Sequence, residues 1–252
     1  ERSPVEKTQM SEKRIEDCQC ESCGKSFQGE VMVYNQYRPP REFRPKECPE
    51  CRAAREATEE KERQEELEID RRQTRDKWRR SCGIPAELMT RNFDNFEVKR
   101  QKLPFEACKK YAHEVRLDRP RGYPSLLLYS GTPGVGKTHL MVAIANYIID
   151  HWTGDPHESC PIRFASGPGL VRRIRSTYSL TGAQPYHERE EDVYREVTGC
   201  KLLMLDDVGK EKPSDFTREL YWYIIDERVK SGLPVVISSR LPLEGEDSLA
   251  QL

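Results

Sequence analysis

An eight-residue segment, residues 131–138, constrains the fold of this chain more than any other part of the sequence. It reads Gly-Thr-Pro-Gly-Val-Gly-Lys-Thr and fits G-x-x-x-x-G-K-[ST], a pattern whose glycines let backbone N–H groups close around phosphates. An apolar run at residues 126–129 precedes the segment, and an apolar run with helical spacing follows at residues 140–149. The pattern therefore lies between a predicted strand and a predicted helix, whose positive N-terminus favours phosphate binding.

The residue types in this loop predict what each one holds. We expect Lys137 to reach the β- and γ-phosphates of a nucleoside triphosphate and the hydroxyl group of Thr138 to hold magnesium. A chance match is the alternative, and the flanking elements argue against it. The residues expected to contact ATP are Gly131, Thr132, Pro133, Gly134, Val135, Gly136, Lys137, Thr138 and His139.

A second motif follows about seventy residues later, at residues 201–207, which read Lys-Leu-Leu-Met-Leu-Asp-Asp. Four apolar residues before two carboxylates are typical of a buried strand that ends in an acidic pair. One carboxylate orients magnesium, and its neighbour polarises the attacking water. We therefore predict that Asp206 is a metal ligand and that Asp207 is the catalytic base. The alternative is a strand that stops at a polar turn.

The composition limits the class of protein. Charged residues make up 34% of the 252 residues and the net charge is −1, so any DNA contact must come from local patches. No run of eighteen apolar residues exists, which predicts no membrane span. The start carries neither an initiator Met nor a signal-peptide pattern, so we expect a cytoplasmic protein whose sequence begins inside its parent.

Five of the nine cysteines lie between Cys18 and Cys51. Two C-x-x-C knuckles, separated by twenty-four residues rich in strand-forming types, predict a zinc ribbon with four thiolates around a structural zinc ion. A redox pair and unliganded thiols are the alternatives, and Cys18 is a fifth candidate that could replace the first ligand. Whether the ribbon binds DNA or protein stays open. The predicted ligands are Cys20, Cys23, Cys48 and Cys51.

Residues 52–80 contain no Gly or Pro and consist mostly of Glu, Arg, Lys, Gln and Ala, which predicts a long charged helix. It is interpreted either as a solvated spacer or as a partner-docking helix, and Gly-Ile-Pro at residues 83–85 breaks it. We thus predict three regions: a zinc ribbon at residues 1–51, a helical connector at 52–82 and an ATPase domain at 83–252.

Within the last region, predicted strands alternate with predicted helices. Strands are expected at residues 126–129, 162–165, 201–207 and 234–240, and helices at residues 104–117, 140–149, 170–178 and 215–229. This alternation predicts an α/β fold with a parallel sheet and helices on both faces.

The sequences around Gly136-Lys137-Thr138-His139-Leu140, the run from Leu205 to Pro213 and the strand ending Ser238-Ser239-Arg240 resemble DnaC-type helicase loaders of bacteria and phages, and the related IstB-type transposition helpers. Both are AAA+ ATPases, and the resemblance covers residues 84–252. The zinc ribbon and charged helix resemble the N-terminal extension of phage-type loaders.

The resemblance implies roles for the residues that match. Gly134, Gly136, Lys137 and Thr138 bind ATP and Mg²⁺, and Asp206 and Asp207 form the acidic pair. The family usually has Asn at the end of the following strand, the sensor 1 position, where this chain has Arg240; another alignment gives the polar role to Ser239. A helix with an arginine finger follows this point in the family, so we expect residues 1–252 to bind ATP and hydrolyse it poorly.

Three functions are considered. The first is ATP-dependent loading of a hexameric replicative helicase onto single-stranded DNA during replication, with self-association into a ring or spiral. The second is a transposition helper that acts with a transposase on duplex DNA, and the third is a nucleotide-switched adaptor that does not hydrolyse ATP. For the first function, the basic helix at residues 170–178 is a candidate DNA contact, although it also fits an ordinary amphipathic helix. Its basic residues are Arg172, Arg173 and Arg175.

Overall fold

The computed structural model describes residues 11–118, 120–178, 188–245 and 248–249, and the chain divides into two compact units at residues 69 and 70. The predicted boundaries after residues 51 and 82 stay predictions of domain organisation. Residues 1–10 and 250–252, at the two ends of the predicted regions, lie outside the described residues.

The first unit contains a three-stranded antiparallel sheet in the order β1 (Ser11–Gln19), β2 (Ser26–Tyr34), β3 (Arg41–Phe43). Strands β2 and β3 lie between the two cysteine knuckles, where the sequence is rich in strand-forming residues. Strand β1 precedes the first knuckle and was not predicted, because its residues are mostly charged and show no apolar alternation. Its Cys18 pairs with Phe27 and packs against Val31 and Val33.

The long charged helix is confirmed as α1, Pro49–Ser81. Its N-terminal half is exposed, and ion pairs one turn apart, such as Arg55 with Glu59 and Lys61 with Glu65, support it. The second cysteine knuckle, residues 48–51, overlaps the first turn of α1, so Cys51 belongs to both the knuckle and the helix.

The C-terminal end of α1 belongs to the core of the second unit. Trp78 is 2% exposed, stacks against Trp152 with ring centroids 4.3 Å apart, and donates a hydrogen bond to the carbonyl oxygen of Glu158. Thr74 donates to the carbonyl oxygen of Pro156. This last part of the helix is therefore not a solvated spacer.

The second unit continues with helices and strands that alternate along the chain. Its sheet has the order β4-β7-β6-β5, and all neighbouring strands are parallel, so crossover connections are required. The predicted α/β architecture with a parallel sheet is confirmed. The elements are α2 (Lys102–Glu114), β4 (Leu126–Tyr129), α3 (Lys137–Asp150), β5 (Ile162–Ser166), α4 (Gly167–Tyr178), α5 (Glu190–Gly199), β6 (Leu202–Val208), α6 (Asp215–Ser231) and β7 (Val235–Ser239).

Strand β6 is buried on both faces. Leu202 and Met204 face a core shared with α2 and α3, whereas Leu203 and Leu205 face a second core shared with α4, α5 and α6. A strand covered by helices on both sides is apolar throughout, which explains its unbroken run of large apolar residues. The same strand carries the acidic pair out of the core at its C-terminal end.

Helix α5 was not predicted. Its first turn contains three acidic residues, and its buried side chains are Val193 and Val197, one helical turn apart. Two buried valines in ten residues are too few to give a periodic signal. Among the helices of the described residues, none has the length and apolar character to cross a bilayer.

Candidate nucleotide site and metal centre

The phosphate loop connects β4 to α3 and depends on two left-handed glycines. Gly134 has φ 73°, and Gly136, at the N-terminus of α3, has φ 95°, a region that residues with a Cβ rarely adopt. A Cβ at Gly136 would also lie 2.6 Å from a ring carbon of Phe96. The loop therefore requires glycine at this position for both conformation and space, and the N-terminus of a fourteen-residue helix points at the cleft.

This cleft has a volume of about 310 Å³. The C-terminal end of β6 and the residue after β7 contribute to its wall, as expected for parallel strands whose carboxyl ends meet at one edge of the sheet. A segment before α2 forms another part of the wall and was not predicted to do so. The lining residues are Leu88, Arg91, Pro133, Gly134, Val135, Gly136, Lys137, Thr138, His139, Asp207 and Arg240.

The side chain of Lys137 folds back on the phosphate loop and contacts backbone carbonyl groups at its start. Its Nζ donates to the carbonyl oxygens of Ser130 at 2.8 Å and Thr132 at 3.3 Å. Burial, followed by the positive charge of Arg240, lowers the pKa of Lys137. Lys137 and Arg240 thus face one cleft together with Arg91, and these cations favour an anionic ligand.

Thr138 and Asp206 are in direct contact. The Thr138 hydroxyl group lies 3.0 Å from each carboxylate oxygen of Asp206, and the Ser238 hydroxyl group donates to Oδ1 of the same carboxylate. Burial raises the pKa of Asp206, which is 6% exposed. A buried carboxylate held by the hydroxyl groups of Thr138 and Ser238 fits Mg²⁺, because the ion supplies positive charge and prefers oxygen ligands.

Asp207 points in a different direction from its neighbour. Its φ is 54°, and the register between β6 and β7 shifts between Leu205 and Val208, so a bulge turns the chain at this residue. Its side chain lines the cleft, and Lys210 donates to its Oδ2 at 3.1 Å. The two acidic side chains therefore have different surroundings, and their roles as metal ligand and base stay predictions.

The side chains at the end of β7 favour Arg240 over Ser239 for the sensor 1 position. Arg240 lines the cleft, as the first alignment requires. Ser239 is buried, donates to the carbonyl oxygen of Val208 at 2.7 Å and accepts a hydrogen bond from the Leu241 amide. Its hydroxyl group thus serves the chain turn and not the cleft.

The sulfur atoms of the two cysteine knuckles cluster within 4.8 Å of one another. Those of Cys23 and Cys48 are 3.8 Å apart, which equals the edge of about 3.8 Å expected for a tetrahedron with Zn–S bonds of about 2.3 Å. Backbone hydrogen bonds, first that of Cys48, lower the pKa of Cys20 to about 6 and favour its thiolate. Cys18 lies outside the cluster, so the four cysteines fit zinc without it.

The three arginines of α4 differ in their surroundings. Arg173 donates to the carboxylates of Glu188 and Glu196, and Arg175 lies 5.1 Å from the ring centroid of Phe216. Arg172 is exposed. The ion pairs of Arg173 disfavour its interpretation as a DNA contact, while its apolar neighbours on α4 are buried as an amphipathic helix requires.

The sequence places Ser238 in a motif that resembles the loaders but predicts no contact with the acidic pair. A serine in a strand carries no functional signal by itself, and the bulge at Asp207 changes the register that would otherwise indicate its partner. Of the histidines, His139 contacts the carbonyl oxygen of Asn92 through Nε2, and the described residues contain no histidine metal cluster.

No protein-family model matches the chain. Its sequence is 28% identical over 169 residues to the replicative helicase loader DnaC of Buchnera aphidicola subsp. Acyrthosiphon pisum, a match that covers 66% of this chain and 62% of that protein. The chain is a sequence relative of the DnaC helicase loaders. The predicted resemblance is thereby confirmed, although the match spans only about three fifths of that loader.

Two further proteins are similar to this chain, one in sequence and one in structure. The chromosomal replication initiator protein DnaA of Zymomonas mobilis is 30% identical over 150 residues, which cover 59% of this chain and 27% of that protein. A crystal structure of the DnaC helicase loader superposes with a TM-score of 0.49 and 24% identity, covering 64% of this chain and 82% of that one.

Proposed function

We propose that the chain is an ATP-dependent loader that places a hexameric replicative helicase on single-stranded DNA. The observation that carries the proposal is the contact between Thr138 and Asp206 beside a phosphate loop, in a chain 28% identical to a replicative helicase loader. The cysteine cluster, with a zinc ion bound by Cys20, Cys23, Cys48 and Cys51, gives the loader a separate folded module.

The nucleotide step uses the residues of the cleft. Lys137 and the amide groups of the loop bind the triphosphate, and Thr138 and Asp206 hold Mg²⁺. Bound there, Mg²⁺ would supply positive charge that offsets the negative charge of the phosphates. Asp207 orients the attacking water and accepts its proton. Arg240 adds positive charge where the family has a neutral amide, which strengthens phosphate binding and leaves the water less well placed.

The partner steps use other surfaces. The zinc ribbon and the exposed half of α1 dock on the helicase, and Arg172 on α4 contacts the phosphates of single-stranded DNA. ATP binding favours a ring or spiral of subunits, and hydrolysis releases the helicase. These assignments rest on the resemblance to the loaders and on exposure.

The experiment is a pull-down of the replicative hexameric helicase by the full-length protein, with ATP, with ADP and with Lys137→Ala. Lys110→Ala is the control, because Lys110 is exposed and pairs with Glu114 one turn away on α2. We expect retention with ATP for the wild type and the control, and loss of ATP dependence for Lys137→Ala. Failure of retention in every nucleotide state, with duplex DNA bound when ATP is present, would support the transposition helper instead.

A non-hydrolysing adaptor is a second candidate, because Arg240 lines the cleft at the position that normally places water. A turnover assay separates the two. An adaptor binds ATP and retains the helicase without releasing phosphate, whereas a loader couples helicase release to phosphate release. Arg240→Asn restores the family's residue and raises turnover if the loader interpretation is correct.

A further inference from the structure

Ser238 contacts both members of the acidic pair. It lies in β7, is fully buried, and donates its hydroxyl hydrogen to Oδ1 of Asp206. The Ser238 hydroxyl oxygen in turn accepts a hydrogen bond of 2.9 Å from the backbone amide of Asp207. One hydroxyl group thus joins the side chain of one carboxylate residue to the backbone of the next.

The backbone at Asp207 requires such a partner. Among the described residues it is the single non-glycine with a positive φ, and it lies at the bulge between β6 and β7. A non-glycine residue keeps this strained backbone conformation only where contacts with its surroundings hold it there. The amide of Asp207 bonds to a side chain of β7 because the bulge interrupts the regular ladder there, and the turn directs the Asp207 side chain into the cleft.

The next residue of the strand shows what an ordinary buried serine does here. Ser239 bonds to the carbonyl oxygen of Val208 and to the amide of Leu241, and neither bond involves a carboxylate. The two serines are equally buried and adjacent, so burial alone does not explain the contacts of Ser238. Its hydroxyl group is arranged around the acidic pair.

We propose that Ser238 is a positioning residue that holds Asp206 towards Thr138 and turns Asp207 into the cleft. This inference rests on the proposed ATP site. Its consequence is specific to the metal: without the hydroxyl group, Asp206 loses one of its hydrogen-bond donors and rotates more freely, whereas Lys137 and the phosphate loop keep their geometry. Affinity for Mg²⁺ in the nucleotide complex falls, and affinity for nucleotide without metal does not.

The test measures binding of a fluorescent ATP analogue by the full-length protein, first in EDTA and then across a Mg²⁺ titration. Loss of a hydrogen bond to a buried carboxylate corresponds to about tenfold in affinity. We therefore expect Ser238→Ala to raise the half-saturating Mg²⁺ concentration about tenfold, with affinity in EDTA changed less than about twofold. Ser238→Thr, which keeps the hydroxyl group, restores most of the Mg²⁺ affinity.

Ser239→Ala is the matched control for a buried serine in the same strand, and we expect it to leave the Mg²⁺ titration unchanged. Equal shifts for Ser238→Ala and Ser239→Ala, or equal losses with and without Mg²⁺, would overturn the positioning role. If the wild type binds no nucleotide under any condition, the proposed ATP site is wrong. Melting curves of each variant establish that the compared proteins are folded.

Discussion

The hydroxyl oxygen of Thr138 lies 3.0 Å from both carboxylate oxygens of Asp206, although the residues are 68 positions apart. They come from the helix after β4 and from the end of β6, two strands separated in the sheet by β7. The contact therefore depends on the order of three parallel strands. The contact brings together two oxygen-bearing side chains that can bind magnesium. A shift of one residue in the pairing of β6 with β7 would move them apart.

The first prediction concerns the charge of this carboxylate. Asp206→Asn keeps an oxygen that accepts hydrogen bonds from Thr138 and Ser238 but removes a buried negative charge. We expect the variant without nucleotide to melt about 2–4 °C higher than the wild type, which corresponds to about 1 kcal/mol for a domain of this size. The same variant loses Mg²⁺-dependent nucleotide binding. Melting curves and a Mg²⁺ titration measure the two effects.

The stability that Asp206→Asn gains over the wild type increases with pH. Burial raises the pKa of Asp206 above that of the unfolded chain, so its contribution to stability is present at low pH and is lost as pH rises through the folded-state value. The advantage of Asp206→Asn is therefore largest near pH 7 and disappears below about pH 4, the ordinary range of an aspartate. An advantage that is constant across this range would contradict the explanation.

The second prediction concerns the zinc ligands. Cys20→Ser lowers the zinc content of the purified protein from about one ion per chain to near zero, because a tetrahedral site loses one of four thiolates. Nucleotide affinity stays unchanged, since the four ligands and the nucleotide cleft belong to different compact units. Metal analysis and nucleotide titration on the same preparation provide both values.

Cys18→Ser is the control for this measurement. Cys18 is also buried in the first unit, but it packs against Val31 and Val33 outside the cluster. We expect this variant to retain zinc. Retention by Cys20→Ser together with loss by Cys18→Ser would show that Cys18 is the ligand, the alternative that the sequence leaves open.

The sequence predicted the parts of the site whose signal is local. The phosphate loop has its own pattern, and the strand before it was predicted with the bounds Leu126–Tyr129 that the structure has. The acidic strand was apparent because burial on both faces leaves an uninterrupted apolar run. In each case the residues that carry the signal are neighbours in the chain.

The missed features depend on contacts between distant residues. Ser238 acquires its partners through the bulge at Asp207, and no pattern in residues 202–208 indicates a bulge. The end of α1 enters the second unit because Trp78 meets Trp152, seventy-four positions later by sequence number. Strand β1 is held by pairing with β2 and not by its own composition.

The third prediction concerns Arg228, a charged residue with no exposed surface. Its guanidinium group donates to the carbonyl oxygens of Val197 and Cys200 at 2.8 Å and to that of Pro234 at 2.7 Å. These contacts join the C-terminal end of α5 to the strands that follow. We expect Arg228→Met to lower the free energy of unfolding by about 3–5 kcal/mol, because the carbonyl groups lose their donors in the core.

Urea unfolding followed by tryptophan fluorescence measures this change, since all three tryptophans, Trp78, Trp152 and Trp222, lie in the second unit. Arg218→Ala is the control on the same helix, because Arg218 is exposed and pairs weakly with Asp215 at 3.4 Å. The control is expected to change the free energy of unfolding by no more than about 0.5 kcal/mol. Similar values for both variants would contradict the role of Arg228.

The last prediction separates the arginines of α4. Arg172 is exposed, whereas Arg173 is held by Glu188 and Glu196. If α4 contacts single-stranded DNA, Arg172→Ala weakens binding and reduces the slope of log affinity against log salt by about 0.7, the value for one phosphate contact. Arg173→Ala leaves that slope unchanged and lowers the melting temperature instead, because Glu188 loses its arginine partner and Glu196 keeps only Arg163. Fluorescence anisotropy with a labelled oligonucleotide at several salt concentrations measures the slopes. A slope change for Arg173→Ala alone would mean that DNA displaces the two glutamates, and it would reverse the assignment.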